Sequence, residues 1–116
     1  MKTLEECKAG GKTIWTAEVA GVQFHFRRPT TREWIEFESA ALSLRTRDQS
    51  PEAWVDMHKA AERLSVLCVE SHTPEELEVL NEDLFGIYRP IAERIGEVVT
   101  ELKAAAGKAA SARSAK

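Results

Sequence analysis

Two arginines stand side by side where the character of the chain changes. In the stretch "FHFRRPTTREWIEF", Phe24 to Phe37, apolar residues alternate with polar ones before Pro29 and fall at helical spacing after it. Arg27 and Arg28 occupy the join; a solvated strand end is the plainest reading, and surface pairing worth about 0.2–1 kcal/mol is a thin reason for both. If the strand persists they point to opposite faces, so one can neutralise Glu33 or Glu36 while the other faces solvent or a partner. Near the other end, Glu93, Glu97 and Glu101 recur at four-residue steps. Like charges at that spacing mildly destabilise a helix unless cations lie nearby, and such a strip often meets a partner or a neighbouring subunit. Arg27, Arg28, Glu93, Glu97 and Glu101 are therefore the candidate partner-binding residues.

Residues with catalytic or metal-binding chemistry are sparse and poorly grouped. Cys68 and His72 are four apart, so a helix that reached both could offer them to one metal. Two ligands do not close a zinc site, His58 lies far down the chain, and a cysteine on an apolar stripe is ordinarily inert packing. His58 with Glu62 is half of a metalloprotease motif without its second histidine. There is no glycine-rich phosphate loop, nucleophile elbow or Ser/His/Asp grouping. The expectation is a protein with no catalytic residues, no metal and no cofactor.

The elements that must position these residues follow from punctuation and period. "TIWTAEVAGVQFHFRR" reads as a hairpin with strands Thr13 to Val19 and Val22 to Phe26 about an Ala20-Gly21 turn; an isolated hairpin is barely stable, so its apolar face must lie on helices. Thr30 and Glu33 form the S/T-x-x-E box that opens a helix over Thr31 to Leu44, with Trp34, Phe37, Ala41 and Leu44 on one stripe and Ile35 and Leu42 widening it. "TRDQSPE" interrupts the pattern. Ser50 and Pro51 open a second helix, carrying Trp54, Met57, Ala61, Leu64 and Cys68, that ends near Ser71. Trp34 and Trp54 are expected in the core. In "SHTPEELEVL", Thr73, Pro74 and Glu76 start a short helix to Leu80; "NEDLFG" breaks it, and the last helix begins at Tyr88 to Pro90 with Ile91, Ile95, Val98 and Leu102 inward. From Ala104 onward, "AAAGKAASARSAK" has no large apolar residue to offset chain entropy, so helical fray and then disorder are expected.

The fold expected is mainly α (α+β): an N-terminal β-hairpin on three to four helices, with residues 1–12 a flexible lead, 13–106 one domain and 107–116 a disordered basic tail. A chain of 116 residues with 43% hydrophobic and 30% charged residues can bury a single core without staples. Two unpatterned cysteines indicate reduced thiols. The first residues are unlike a signal peptide and no apolar run approaches a membrane span, so a cytoplasmic protein is expected. The net charge of −3 divides into +4 after Leu102 and −7 before it. An acidic body argues against nonspecific nucleic-acid binding, which needs a basic face.

Beyond the physics, "FHFRRPT", "TREWIEFE", "VLCVES" and the terminal "PIAERIGEVV" together resemble the tail assembly chaperones of long-tailed bacteriophages and prophages, over about Trp15 to Leu102. In that family an R-x-P-T segment, here Arg27 to Thr30, precedes the first helix, and a "CV" segment, here Cys68-Val69, ends the second. The resemblance implies a non-enzymatic protein that binds the phage tape-measure protein, shields it before the tail tube polymerises and recruits the tail-tube protein. It also implies a homo-oligomer that works in the host bacterial cytoplasm and is absent from the mature virion. A small adaptor or oligomerisation module with no tape-measure client is the alternative, and a nucleic-acid role for the basic tail is a further one.

Overall fold

A computed structural model describes residues 1–46 and 50–114. Among them the order is α1 (Leu4–Cys7), β1 (Trp15–Val19), β2 (Val22–Phe26), α2 (Thr31–Thr46), α3 (Pro51–Cys68), α4 (Pro74–Asp83) and α5 (Tyr88–Ser114). β1 and β2 pair antiparallel, Trp15 opposite Phe26 and Val19 opposite Val22. This is the expected hairpin on helices. Trp15, Ala17 and Val19 share their face with Val22, Phe24 and Phe26, and that face closes over the helices: Phe24, Phe26, Leu64, Leu77, Ile87, Ile91 and Ile95 are all fully enclosed. Full burial of such side chains stabilises by about 1.5–3 kcal/mol each.

The caps stand where the sequence places them. Thr30 Oγ1 accepts from the Glu33 N–H at 3.2 Å while Glu33 accepts from the Thr30 N–H at 2.7 Å; Thr73 and Glu76 repeat the exchange at 3.1 and 3.0 Å. Ser50 caps α3 through the Ala53 N–H, with Pro51 following. Centrally in the expected "TRDQSPE" break, residues 47–49 lie outside the described residues.

Several expectations need correction. α3 stops at Cys68, short of Ser71, because the next residues are drawn into pairing with β2: Phe26 and Val69 form an antiparallel bridge, the Arg27 N–H donates to the Cys68 carbonyl (2.9 Å) and the Glu70 N–H to the His25 carbonyl (2.8 Å). Trp54 is 42% exposed. The buried stripe of α3 enters through Ala53 instead, leaving Trp54 on the flank with the Arg89 guanidinium 5.6 Å from its ring. Ile35 and Leu42 are 55% and 53% exposed and do not widen the α2 stripe. Trp34 is half-buried against the core, its indole meeting α5 at Gly96, where a β-carbon would lie 3.1 Å from the ring.

Both ends of the chain carry helical structure. Residues 1–12 include α1, opened by a Thr3/Glu6 capping box; Cys7 is buried and the Lys2 N–H donates to the Ser71 carbonyl at 2.8 Å. The box was legible, but no apolar run follows it to signal a helix. At the other end α5 continues to Ser114, although residues 101–109 are exposed. Lacking large apolar side chains removes packing, not the local helix preference of alanine and lysine. Residues 115 and 116 lie outside the described residues.

The hairpin turn has positive φ at both central positions, Ala20 at 51° and Gly21 at 81°, as a type I′ turn requires. Glycine adopts this freely, whereas an L-alanine in the left-handed region is strained by about 1–2 kcal/mol. Replacing exposed Ala20 with Asn is expected to raise stability by roughly 0.5–1 kcal/mol. A lower denaturation midpoint for A20N would show that the turn is not limited by this strain.

Candidate functional site

At the strand-to-helix corner the two arginines divide their work. Arg27 forks onto Glu33, with Nη1 and Nη2 donating to the two carboxylate oxygens at 2.9 and 3.0 Å, and Nη1 also reaches the Arg28 carbonyl at 3.0 Å. Since Glu33 simultaneously accepts from the Thr30 N–H and the Arg27 N–H is bonded to Cys68, one residue fastens β2 to the start of α2 and the end of α3. The Arg27 hydrogen bonds, assisted by the Thr30 N–H and opposed by partial burial, hold the Glu33 carboxyl down at about 2. Glu36 is served by others, Arg32 and Arg63, each at 3.7 Å. Arg28 is exposed, and its side chain makes no ion pair among the described residues. Of the expected pair, only Arg28 is left to meet a partner.

Arg28 lies on the rim of a groove of about 1040 Å³. Lys12, Arg27 and Arg28 supply positive charge, Trp15, Pro29 and Leu102 apolar surface, and Glu70 one carboxylate that pairs with Lys12 at 3.8 Å. Trp15 is also a wall of a second groove, about 470 Å³, between β1 and α5, where Glu97, Glu101 and Val98 face Thr16, Ala17 and Glu18. A third, about 430 Å³, prolongs it past Glu93 to Pro90 and Gly86. The basic corner and the acidic row therefore adjoin across Trp15. Within the row, Arg94 reaches Glu97 at 3.3 Å; both are solvated, and such a pair adds at most about 1 kcal/mol.

Both thiols and the imidazoles of His25 and His72 are buried. With α3 ending at Cys68, the helical spacing that would align Cys68 with His72 does not exist. Cys68 has no exposed surface, and burial pushes its thiol up to about 12, which disfavours the thiolate. His72 sits against the Phe24 ring, centroids 4.9 Å apart, with Nδ1 2.8 Å from Ser71 Oγ. Ser71 Oγ in turn accepts the His25 N–H at 3.0 Å, so these groups satisfy one another behind β2. No group of three His, Cys, Asp or Glu is placed to hold a metal among the described residues. None of their helices is long and apolar enough to cross a membrane.

A surface that sequence periodicity did not disclose lies at the α4–α5 corner. Phe85 is 100% exposed and holds φ at 55°. It occupies the left-handed position after α4 where glycine is usual, and the following Gly86 N–H returns to the Asn81 carbonyl at 2.8 Å, closing the Schellman motif. Asn81 also takes the Ile87 N–H on its side chain at 2.9 Å. The ring thus projects from a locked turn. Around it a groove of about 560 Å³ is lined by Val55, Tyr88 and Pro90, with His58, Lys59, Glu62 and Arg89 at the border. The only sequence signal was "LFG", a large apolar residue where a turn wants glycine.

Glu33 permits a pH test of the corner. Its folded pKa lies below the usual value near 4.5, so the stabilisation is fully present above about pH 5 and is lost as pH falls through about 2. Glu33→Gln keeps the capping geometry but removes the charge; it is expected to be about 2–3 kcal/mol less stable than the parent at pH 7, with the difference closing toward pH 2. A pH-independent difference in urea unfolding would mean the ion pair is not its cause. Comparison of the chain with protein-family models, with curated proteins and with solved structures gives no match.

Proposed function

We propose that this chain is a non-enzymatic tail assembly chaperone that binds an elongated helical client, the phage tape-measure protein, and assists tail-tube assembly in the host cytoplasm without entering the virion. The observation that carries a binding role is Phe85, an aromatic ring given wholly to solvent from a strained and locked turn. Backbone strain and solvent-exposed aromatic area both act against stability, and their coincidence in a rigid corner suits a preorganised contact. Beside it, Val55 and Trp54 are about half exposed on α3. Such a cluster rimmed by charge can take the apolar stripe of a partner helix. The R-x-P-T and "CV" segments of the resemblance support the client: here they form the bracket that orients the hairpin on α2 and α3. Self-association belongs to the same reading, through Arg28 of one copy and Glu93, Glu97 and Glu101 of another, with no nucleic acid, membrane, metal or cofactor involved.

Phe85→Gly separates binding from folding. It removes a side chain that contacts solvent alone and suits the left-handed turn, so stability is expected to hold or rise by about 0.5–1 kcal/mol while capture of tape-measure fragments falls at least tenfold. Undiminished capture by F85G, with loss in Arg28→Glu, would move the client to the corner groove. No capture of any tape-measure segment by the parent chain would favour the adaptor module instead. For self-association, light scattering across a salt series should show an oligomer that dissociates as salt rises; a single-chain mass at low salt and high concentration would exclude it.

A further inference from the structure

The β1 edge carries unpaired backbone groups that the fold leaves uncovered. His25 turns its N–H and C=O away from β1, the C=O to Glu70 and the N–H to Ser71, which makes His25 and its partner Thr16 a non-hydrogen-bonded pair. By the same parity Glu18, opposite Gln23, is also turned outward. Thr16 and Glu18 therefore present their N–H and C=O groups along the free edge, and no backbone hydrogen bond among the described residues reaches them. The opposite edge, that of β2, is occupied by residues 68–71. β1 alone is open.

Beneath this edge run the two continuous grooves against α5, floored by Trp15, Ala17 and Val98 and lined by Glu18, Glu93, Glu97 and Glu101 with Arg94. The spacing of that row is informative. Four helical residues advance about 6 Å, while alternate side chains of a β-strand are about 6.8 Å apart. A strand added to β1 would thus bring every second side chain over successive glutamates. Charge also selects against a second copy of the same edge, since pairing β1 with β1 would bring each Glu18 and each acidic row toward its equal. The chain's own basic tail is a poor fit as well: no two of Lys103, Lys108, Arg113 and Lys116 stand two residues apart, so none places cations at every second position.

From this we infer that the β1 edge and the α5 glutamate row form a strand-addition site for an extended partner segment with lysine or arginine at every second position. Main-chain hydrogen bonds to Thr16 and Glu18 hold the segment and the row selects its sequence. This goes beyond the chaperone reading and does not depend on the client at Phe85.

The test uses the intact chain and three synthetic peptides: one alternating lysine with threonine or valine, its isomer with the lysines contiguous, and the alternating peptide N-methylated on its edge-facing amides. Binding of the first should slow hydrogen exchange at the Thr16 and Glu18 amides. The isomer should bind about tenfold more weakly and the N-methylated peptide should give no protection. Glu97→Gln with Glu101→Gln should weaken the alternating peptide about fivefold without altering the unliganded exchange pattern. Equal binding of the isomer would reduce the effect to nonspecific charge attraction and overturn the proposal, as would binding without protection at Thr16 and Glu18 or no binding at all. Protection of these amides by raising the concentration of the chain alone would assign the edge to a second copy and equally overturn it.

Discussion

Everything else in this molecule depends on the hairpin being held on the helices, and the holding is done by the last residue of α3 and the three that follow it. Two strands in water are marginal on their own. Here Cys68, Val69, Glu70 and Ser71 leave the helix and run beside β2 as a short third strand, exchanging hydrogen bonds with His25 and Arg27. The Phe24 and Phe26 side chains are then pressed into the helical core from one side while His25 and Ser71 seal the other. Ending α3 at Cys68, the last residue of its apolar stripe, rather than near Ser71, is what permits this. The helical bonds that the Glu70 and Ser71 N–H groups forgo are replaced by bonds to the His25 carbonyl.

That stitch also explains why Arg27 is not a free charge. Its backbone N–H is the last rung to Cys68, so its side chain emerges between the end of α3 and the start of α2, within reach of Glu33. A half-buried arginine needs a carboxylate, and the capping residue of α2 supplies one. Glu33 thus performs two tasks, closing the Thr30 box and neutralising Arg27, and each fixes the carboxylate for the other. Pro29 between them removes the remaining freedom of the corner. Arg28, one residue further, has no such partner within reach and is delivered to the groove beside Trp15 and Leu102.

Much of this architecture was legible. The alternation around Phe24 and Phe26, the Thr30/Glu33 and Thr73/Glu76 boxes and the Ser50-Pro51 start each encode local structure through nearby hydrogen-bond partners, and local rules suffice for them. What failed were features decided by distant contacts. The stop at Cys68 depends on β2, more than forty residues earlier in the chain. Trp54 and Ala53 are both compatible with the α3 repeat, and only the direction of the neighbouring helices decides which enters the core. Ile35 and Leu42 belong to the apolar periodicity of α2 yet face away, because α3 and α5 cover one side of that helix and not the other. Of the candidate site, the division of the two arginines between a carboxylate and a free role was legible, and which of them takes Glu33 was not.

The surfaces left open share a physical logic. Phe85 stands on a turn fixed by Asn81 through both its carbonyl and its side chain; Arg28 stands on a corner fixed by Pro29 and the Glu33 bracket; Thr16 and Glu18 stand on a strand fixed by its pairing to β2. In each case exposed groups are mounted on backbone that the fold has already ordered, so contact with a partner need not bear the entropy of ordering a loop. The contrast with α5 is instructive, since residues 103–109 of the same helix are exposed throughout. Ordered display near the hairpin and full exposure over residues 103–109 divide the described residues into a body whose geometry can discriminate between partners and a helical extension without large apolar side chains.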